Sequence, residues 1–341
     1  MRLIDASANR AREALRVAED YARFVLDAKE LTAELKSIRH GLAEALSPVL
    51  AEAILFRDTA GDVGTDLKTE AELSRADRAA VVTAAGKRLG EALRSLEEYL
   101  KTVSPVASAR IEKLRYRFYD LEAKLARTLR PMGRMAEVRL YVLITESSCK
   151  GDWLRTAELA IEGGADCIQL REKSLEDGEL LRRATAIAEL CRKRKVISII
   201  NDRPDIALLA DMDGVHVGQT DLPAARVRQI VGTQKIVGVS THQIGQARQA
   251  VLDGADYIGI GPIYKSTTKP RDFAAGVEYA AAVLADAAVG IPAVAIAGIE
   301  LANLDAVLAT GVRAIAVTSA VAGANDVRGA AEQLKRRLMA S

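Results

Sequence analysis

VISIINDRPDIALLADMDGVHVGQTD (residues 196–221) holds two short apolar runs, Val196–Ile200 and Gly214–Val217, with a helical stretch beginning near Pro204 between them. Neither run alternates apolar with polar residues. Each therefore reads as a strand buried on both faces, as in a parallel sheet covered by helices. The same grammar extends outward in both directions. Leu140–Ile144 and Cys167–Leu170 come before, and Ile236–Val239, Tyr257–Ile260, Ala293–Ile296 and Ala314–Val317 come after. Helical segments such as Trp153–Glu162, Leu180–Arg192 and Ile244–Leu252 lie between them. Glycines at Gly164-Ala165-Asp166, Gly254-Ala255-Asp256 and Gly311-Val312-Arg313 end a helix at positive φ and feed the next strand. Eight β–α units in about 200 residues predict an α/β fold, a closed (β/α)8 barrel of the TIM type. An open doubly wound sheet would carry G-x-G-x-x-G after its first strand. Here that strand is followed by Thr145-Glu146-Ser147-Ser148.

Residues 1–130 read as an all-helical domain ahead of the barrel. Leu15, Val17, Ala18, Tyr21, Ala22 and Val25 recur at helical spacing, and Arg57–Asp66, with two glycines among polar residues, reads as an ordered loop. Glu13-Ala14-Leu15-Arg16 and Glu91-Ala92-Leu93-Arg94 match at an offset of 78, as do Glu19 with Glu97 and Tyr21 with Tyr99, while Leu35-Lys36 and Leu114-Arg115 follow at 79. Two related helical hairpins explain this, and so does the general likeness of charged helices. Arg130-Pro131-Met132-Gly133-Arg134 stops a helix, so 131–138 is expected to be a linker and 139–341 the barrel.

Composition narrows the function. The chain has 341 residues, 49% apolar but only 4% aromatic, so its core is aliphatic. Lys and Arg number 48 against 46 Asp and Glu, a net charge of +2 that argues against a general nucleic-acid binder. The spacing of Cys149, Cys167 and Cys191 fits no zinc pattern, and a reduced, cytoplasmic protein is expected. No apolar run reaches membrane-spanning length, and Met1–Arg12 lacks a signal-peptide core.

Active sites of such barrels are built from the loops after the strands. Those loops carry Arg171-Glu172-Lys173, Asn201-Asp202-Arg203, Gly218-Gln219-Thr220-Asp221, Ser240-Thr241-His242, Gly261–Lys269, Ala297-Gly298-Ile299 and Thr318-Ser319. Cations (Arg171, Lys173, Lys269) beside two carboxylates (Asp202, Asp221) suggest a diphosphate bound with Mg²⁺, which takes one or two carboxylates plus phosphate oxygens. Glycines and hydroxyls after the last strands suggest a second, monophosphate group. Singly, each feature has a plainer reading. The Arg-Glu-Lys triplet is a solvated charge run, Asp202 and Asp221 cap the following helices, His216 is a packed core histidine, and His242 orients a loop.

Together these residues resemble the thiamine-phosphate synthase family. The matching runs are Gln169–Lys173, Asn201-Asp202, Gly214–Gln219 with Asp221, Gly238-Val239-Ser240-x-His242, and Gly259-x-Gly261-Pro262-Ile263-Tyr264 with Thr268-Lys269. The resemblance covers about Leu140 to Leu338. It implies a transferase of thiamine biosynthesis that joins a pyrimidinylmethyl diphosphate to a thiazole phosphate dissociatively. On that resemblance Arg171, Lys173, Ser240 and Lys269 are catalytic. Gln169 and Asn201 join them in binding the pyrimidine diphosphate, and Leu170, Glu172 and His216 are further substrate-binding residues. Ser266, Thr267, Thr268, Gly298, Thr318 and Ser319 hold the thiazole phosphate, and Asp202 and Asp221 bind Mg²⁺. Lys265 stands where the family often has proline, and Ala297 where it often has glycine. The N-terminal region resembles a helical domain fused ahead of some of these synthases, through Asn9–Glu13, Arg16–Asp20, Arg39-His40 and Arg57–Gly64. A pyrimidine-phosphate-related kinase role, regulation and assembly all fit it, and homo-oligomerisation is left open. Two rivals share the barrel: a thiazole tautomerase using His242, and a noncatalytic thiazole- or pyrimidine-binding regulator. Neither needs the carboxylates and cations together.

Overall fold

The computed structural model describes residues 1–56, 74–129, 133–265 and 273–340. The chain divides into two compact units, Met1–Arg130 and Pro131–Ser341.

The first unit contains α1 (Arg2–Phe24), α2 (Lys29–Ala53), α3 (Arg78–Leu100) and α4 (Pro105–Thr128). Asp77 caps α3 by accepting from the Ala80 amide, and Ser104 caps α4, with Pro105 in the first turn where no amide proton is missed. α1 packs on α2 and α3, and α4 on α2 and α3. The internal repeat is real in α1 and α3. Moved back by 78, buried Val82, Leu89, Leu93, Glu97 and Leu100 fall on buried Ile4, Ala11, Leu15, Glu19 and Ala22. For α2 and α4 the expected offset of 79 is wrong. Buried Ile111, Leu114, Phe118, Leu121 and Leu125 match Leu35, Ile38, Leu42, Ala45 and Val49 at an offset of 76. Three residues is nearly one helical turn, so a helical pattern alone does not distinguish the two registers. The ion pairs do. Arg39 Nε meets Glu19 at 2.7 Å, and Arg115 Nε meets Glu97 at 2.7 Å. Arg115 is thus the counterpart of Arg39, not of Lys36.

The two pairs differ in how far water reaches them. The Arg115 and Glu97 side chains are 7% and 4% exposed, whereas Arg39 retains 22%. The Tyr116 and Tyr119 rings lie 4.4 and 5.4 Å from the Arg115 guanidinium, and the Tyr119 hydroxyl accepts from it at 3.0 Å.

The second unit is a closed parallel barrel in the order β1 to β8: Leu140–Ile144, Cys167–Leu170, Ile197–Asn201, Gly214–Val217, Ile236–Thr241, Tyr257–Ile260, Ala293–Ile296 and Ala314–Val317. Pairing of Tyr141 with Ala316 and of Val142 with Val317 closes β1 on β8. The helices are α5 (Trp153–Glu162), α6 (Asp177–Arg194), α7 (Pro204–Leu209), α8 (Ala224–Val231), α9 (Ile244–Leu252), α10 (Gly276–Ala285), α11 (Leu304–Leu308), α12 (Ser319–Ala322) and α13 (Val327–Met339). Gly164, Gly254 and Gly311 have φ of +99°, +83° and +91°, as expected of glycines that end helices.

β3 starts one residue later than expected, because the Val196 amide is spent on Cys191 O at the end of α6. β5 runs on to Thr241, which pairs with Ile260. The linker expected over 131–138 does not extend that far. Arg134–Glu137 is a 3-10 turn, and Met135 and Val138 are buried with Tyr141, Cys167 and Ile197 inside the barrel.

Three aspartates tie down the N-terminal end of the barrel. Asp166, before β2, accepts the amides of Arg139 and Leu140 at the start of β1. Asp213, before β4, accepts the Ser198 amide of β3, and Asp256, before β6, the Val237 amide of β5. Each carboxylate supplies a partner that the staggered strand start lacks. Among the described residues no helix is long and apolar enough to cross a membrane.

Replacing Glu97 with Ala leaves the buried Arg115 guanidinium without its carboxylate and should cost about 3–5 kcal/mol, the usual penalty for breaking a buried pair. Glu19→Ala leaves Arg39 with access to water and should cost clearly less. Urea unfolding of the two variants, followed by helix signal, tests this; equal losses would count against it.

Candidate active site

The pleat sends alternate strand residues inward, and the loops carry the next residues over the C-terminal mouth. One cavity lies there. It is lined by Gln169, Arg171 and Lys173 from β2 and its loop, Asn201 and Asp202 from the end of β3, and His216, Gly218 and Asp221 after β4. Ser240 and His242 line it from β5, and Ala297, Gly298, Thr318 and Ser319 from the ends of β7 and β8. Groups more than a hundred residues apart are therefore brought to one mouth.

The carboxylates do not cap helices. Neither α7 nor α8 receives a side-chain cap. Asp202 sits at φ +63° with its amide bound to His216 O at 2.8 Å, which turns its side chain over the mouth. Its Oδ2 meets Lys173 Nζ at 2.8 Å. Asp221 Oδ2 accepts the Gly218 amide at 2.8 Å. Burial pushes the Asp202 carboxyl above its ordinary value and Asp221 adds to that, while Lys173 pulls it down. The net upward shift is mainly a burial effect, to which the neighbouring Asp221 carboxylate adds. Lys173 is half exposed, so its pair with Asp202 is weak and exchangeable, about 0–1 kcal/mol. The Arg171 guanidinium has no hydrogen-bonding or ion-pair partner among the described residues.

Deeper in the barrel a polar chain crosses the interior. Gln169 Nε2 donates to the Tyr141 hydroxyl at 2.9 Å, which lies 2.9 Å from the Tyr257 hydroxyl. Tyr257 in turn lies 2.9 Å from His216 Nδ1, and His216 Nε2 lies 2.9 Å from Ser240 Oγ. Reading the sequence missed both tyrosines, because inside apolar strands they look like core. The available signal was a large polar aromatic opposite small residues, with Gly238 and Gly259 on the neighbouring β5 and β6. His216 is hydrogen-bonded core and cavity lining at once. His242 Nδ1 is tied to Gly261 O, and its backbone amide donates to Gln246 Oε1 at 2.8 Å, so this histidine orients its loop.

Two expected binding residues lie elsewhere. Leu170 points outward and is fully buried beneath the helices, one step of the pleat from inward-facing Gln169. Glu172 turns to the outer side, where its Oε1 accepts the Glu146 amide at 2.7 Å. It lies near Arg183, which also binds Glu146 and Glu179 and stacks on Trp153. Ser266, Thr267, Thr268 and Lys269, and the N-terminal loop at 57–66, lie outside the described residues.

Ala297 adopts φ +82°, the conformation that glycine takes without strain. Gly298 follows at φ +65°, and a Cβ there would stand 2.6 Å from Lys265 O and 2.7 Å from Tyr264 Cβ. Asn303 Nδ2 fixes the loop by donating to Gly298 O at 2.8 Å.

Fold and mouth together define a (β/α)8-barrel enzyme with its site at the C-terminal end of the strands. Residues 140–321 match the model of a family described as thiamine monophosphate synthase, and residues 2–124 match the ThiD2 family. Among relatives, the thiamine-phosphate synthase of Rhodopirellula baltica is 43% identical over 94% of this chain and 88% of its own length. That of a Synechocystis species is 40% identical over 99% and 96%. The solved structure of a thiamine phosphate pyrophosphorylase from Pyrococcus furiosus covers 60% of this chain and 98% of its own, at 35% identity and a TM-score of 0.55. This chain belongs to the thiamine-phosphate synthase family, a family of transferases.

Ala297→Gly should relieve the strain of a left-handed alanine and raise stability by up to about 1 kcal/mol. Gly298→Ala should lower both stability and activity. Thermal unfolding of both proteins checks this; a lower Tm for Ala297→Gly would contradict the strain reading.

Proposed function

We propose that the barrel condenses 4-amino-2-methyl-5-(diphosphooxymethyl)pyrimidine with a thiazole phosphate, giving thiamine phosphate and diphosphate. The observation that carries this reading is the meeting of Arg171, Lys173, Asn201, Asp202, Asp221 and Ser240 at one side of a single mouth, with Gly298, Thr318 and Ser319 across it. The first set suits a diphosphate and the second a monophosphate.

Mg²⁺ fits the donor set. Two crowded carboxylates, each with a neutral or exchangeable partner, gain from a divalent cation. Among the described residues no cluster of three or more His, Cys, Asp or Glu forms a closed cage, which suits a cation shared with substrate oxygens. Asp202 and Asp221 would hold it, and it would neutralise charge on the diphosphate.

The chemistry asks these side chains to bind and orient. Heterolysis of the methylene C–O bond sends its electron pair out with diphosphate. Arg171 and Lys173, joined by Lys269 on the family resemblance, favour that departure as fixed positive charge. The aminopyrimidine spreads the resulting carbocation, and the thiazole nitrogen lone pair forms the new C–N bond. Gln169 and Ser240 orient the pyrimidine side. The backbone around Gly298 and Thr318-Ser319 holds the thiazole phosphate. His242, tied to Gly261, is not used as a proton carrier. Three free cysteines and the biosynthetic family suit a cytoplasmic location. We read the helical unit as a pyrimidine-phosphate-related or regulatory module, a reading that its match to the ThiD2 family supports.

The test is diphosphate release from the two-substrate mixture. Asp202→Asn should lower kcat by about 10²–10³-fold and raise the Mg²⁺ needed, with the KM for thiazole phosphate little changed. Unaltered turnover at limiting Mg²⁺ would remove Asp202 from the metal site. A fragment beginning at residue 131, ahead of the buried Met135, should be soluble and active; a soluble, inactive fragment would mean the helical unit completes the site.

A further inference from the structure

We propose that Tyr141, Tyr257 and His216 are positioning residues that present the Ser240 hydroxyl to the cavity as a hydrogen-bond donor and hold the Gln169 amide with its oxygen turned to the cavity. The proposal rests on the reading of that cavity as the substrate site.

The argument is one of donor and acceptor accounting along the chain of four 2.9 Å contacts. An amide nitrogen has only protons to give, so Gln169 Nε2 fixes the direction at one end. Tyr141 accepts there and passes its single proton to the Tyr257 oxygen. Tyr257 then gives its own proton to His216 Nδ1. Accepting at Nδ1 leaves a neutral imidazole with its proton on Nε2, and that proton goes to Ser240 Oγ. The serine proton has no taker among the described residues and is directed to the cavity. At the other end, the Gln169 carboxamide oxygen is left as an acceptor. Reversing a single member would set like groups face to face or strand a buried hydroxyl proton without an acceptor.

Burial makes this ordering firm. Tyr141, Tyr257 and Gln169 are 2%, 1% and 3% exposed. Burial also pushes both phenols well above their ordinary pKa, so both stay protonated donors. In a low-dielectric interior such chains polarise one another, and a broken link is costly.

The backbone makes room for the chain. Gly238 lies beside it on β5, and a Cβ there would stand 2.2 Å from the Tyr257 ring and 2.5 Å from His216 Nδ1. Only glycine lets the histidine and tyrosine reach one another at this level of the barrel. The residues also come from β1, β2, β4, β5 and β6, so the chain ties one wall of the cavity to the opposite one.

The experiment has two arms on the full-length protein. Long-range proton–nitrogen NMR of the nitrogen-labelled chain reads the tautomer of each of its three histidines, with His216→Asn identifying the signal. The expected result is a neutral His216 protonated at Nε2 in the wild type, and loss of that fixed tautomer in Tyr257→Phe. The second arm is a double-mutant cycle. Tyr257→Phe should lower kcat about tenfold in the wild-type background, as for one lost hydrogen bond, with KM within about twofold. In a Ser240→Ala background the same change should have almost no further effect. A packing role would cost the same in both backgrounds, and that outcome overturns the proposal. So does a His216 protonated at Nδ1. The spectra need no substrate, so they fail separately from the reading of the cavity, which would fall if the wild-type protein released no diphosphate.

Discussion

In a closed parallel barrel every strand residue has one of two destinations, and the hydrogen-bonded register decides which. β1 pairs with β8 through Tyr141 and Ala316, so Tyr141 faces the interior and Val142 faces the helices. The eight-stranded interior has little spare volume. Two tyrosines and a histidine fit because their neighbours are small: Gly238, Gly259, Ala314 and Ala316. The inner polar chain, the position of Ser240 and the direction of Gln169 all depend on that one pleat and on where it puts large and small side chains.

The same closure separates stability from chemistry. At the N-terminal end, Asp166, Asp213 and Asp256 spend their carboxylates on the starts of neighbouring strands. These ties are short, partly buried and self-contained. At the C-terminal end, Asp202 and Asp221 crowd each other, Arg171 has no partner among the described residues, and Lys173 holds an exchangeable one. A rim of unspent charge is costly unless a ligand supplies the missing partners. A firm lower end makes that tolerable. Ala297, held in a left-handed conformation beside Gly298, is a further local strain at the ligand end.

The helical unit shows how a repeat is preserved by physics rather than by residue identity. Its two hairpins share buried positions and a glutamate–arginine ion pair, which only in the second is buried at both ends. The first helices of the two hairpins match at an offset of 78 and the second at 76, so the spacing within the hairpins differs by two residues. Helical periodicity alone leaves the second match open between 76 and 79, whereas an ion pair with both ends fixed does not.

The sequence by itself determined the order of strands and helices, the barrel class and nearly all the groups at its mouth. Unalternating apolar runs and the charged residues after them are local signals that need no knowledge of contacts. It did not determine which face of each strand those residues take. Leu170 and Glu172 lie beside Gln169 and Arg171 in the chain, yet the pleat and Arg183 draw them away from the cavity. Nor did it mark Tyr141 and Tyr257, since an inward tyrosine reads like any core aromatic until its hydroxyl finds a partner. Those partners sit on other strands. Only the closing of β1 on β8 brings them within hydrogen-bonding distance, and that closure is a property of the whole barrel and of no single segment.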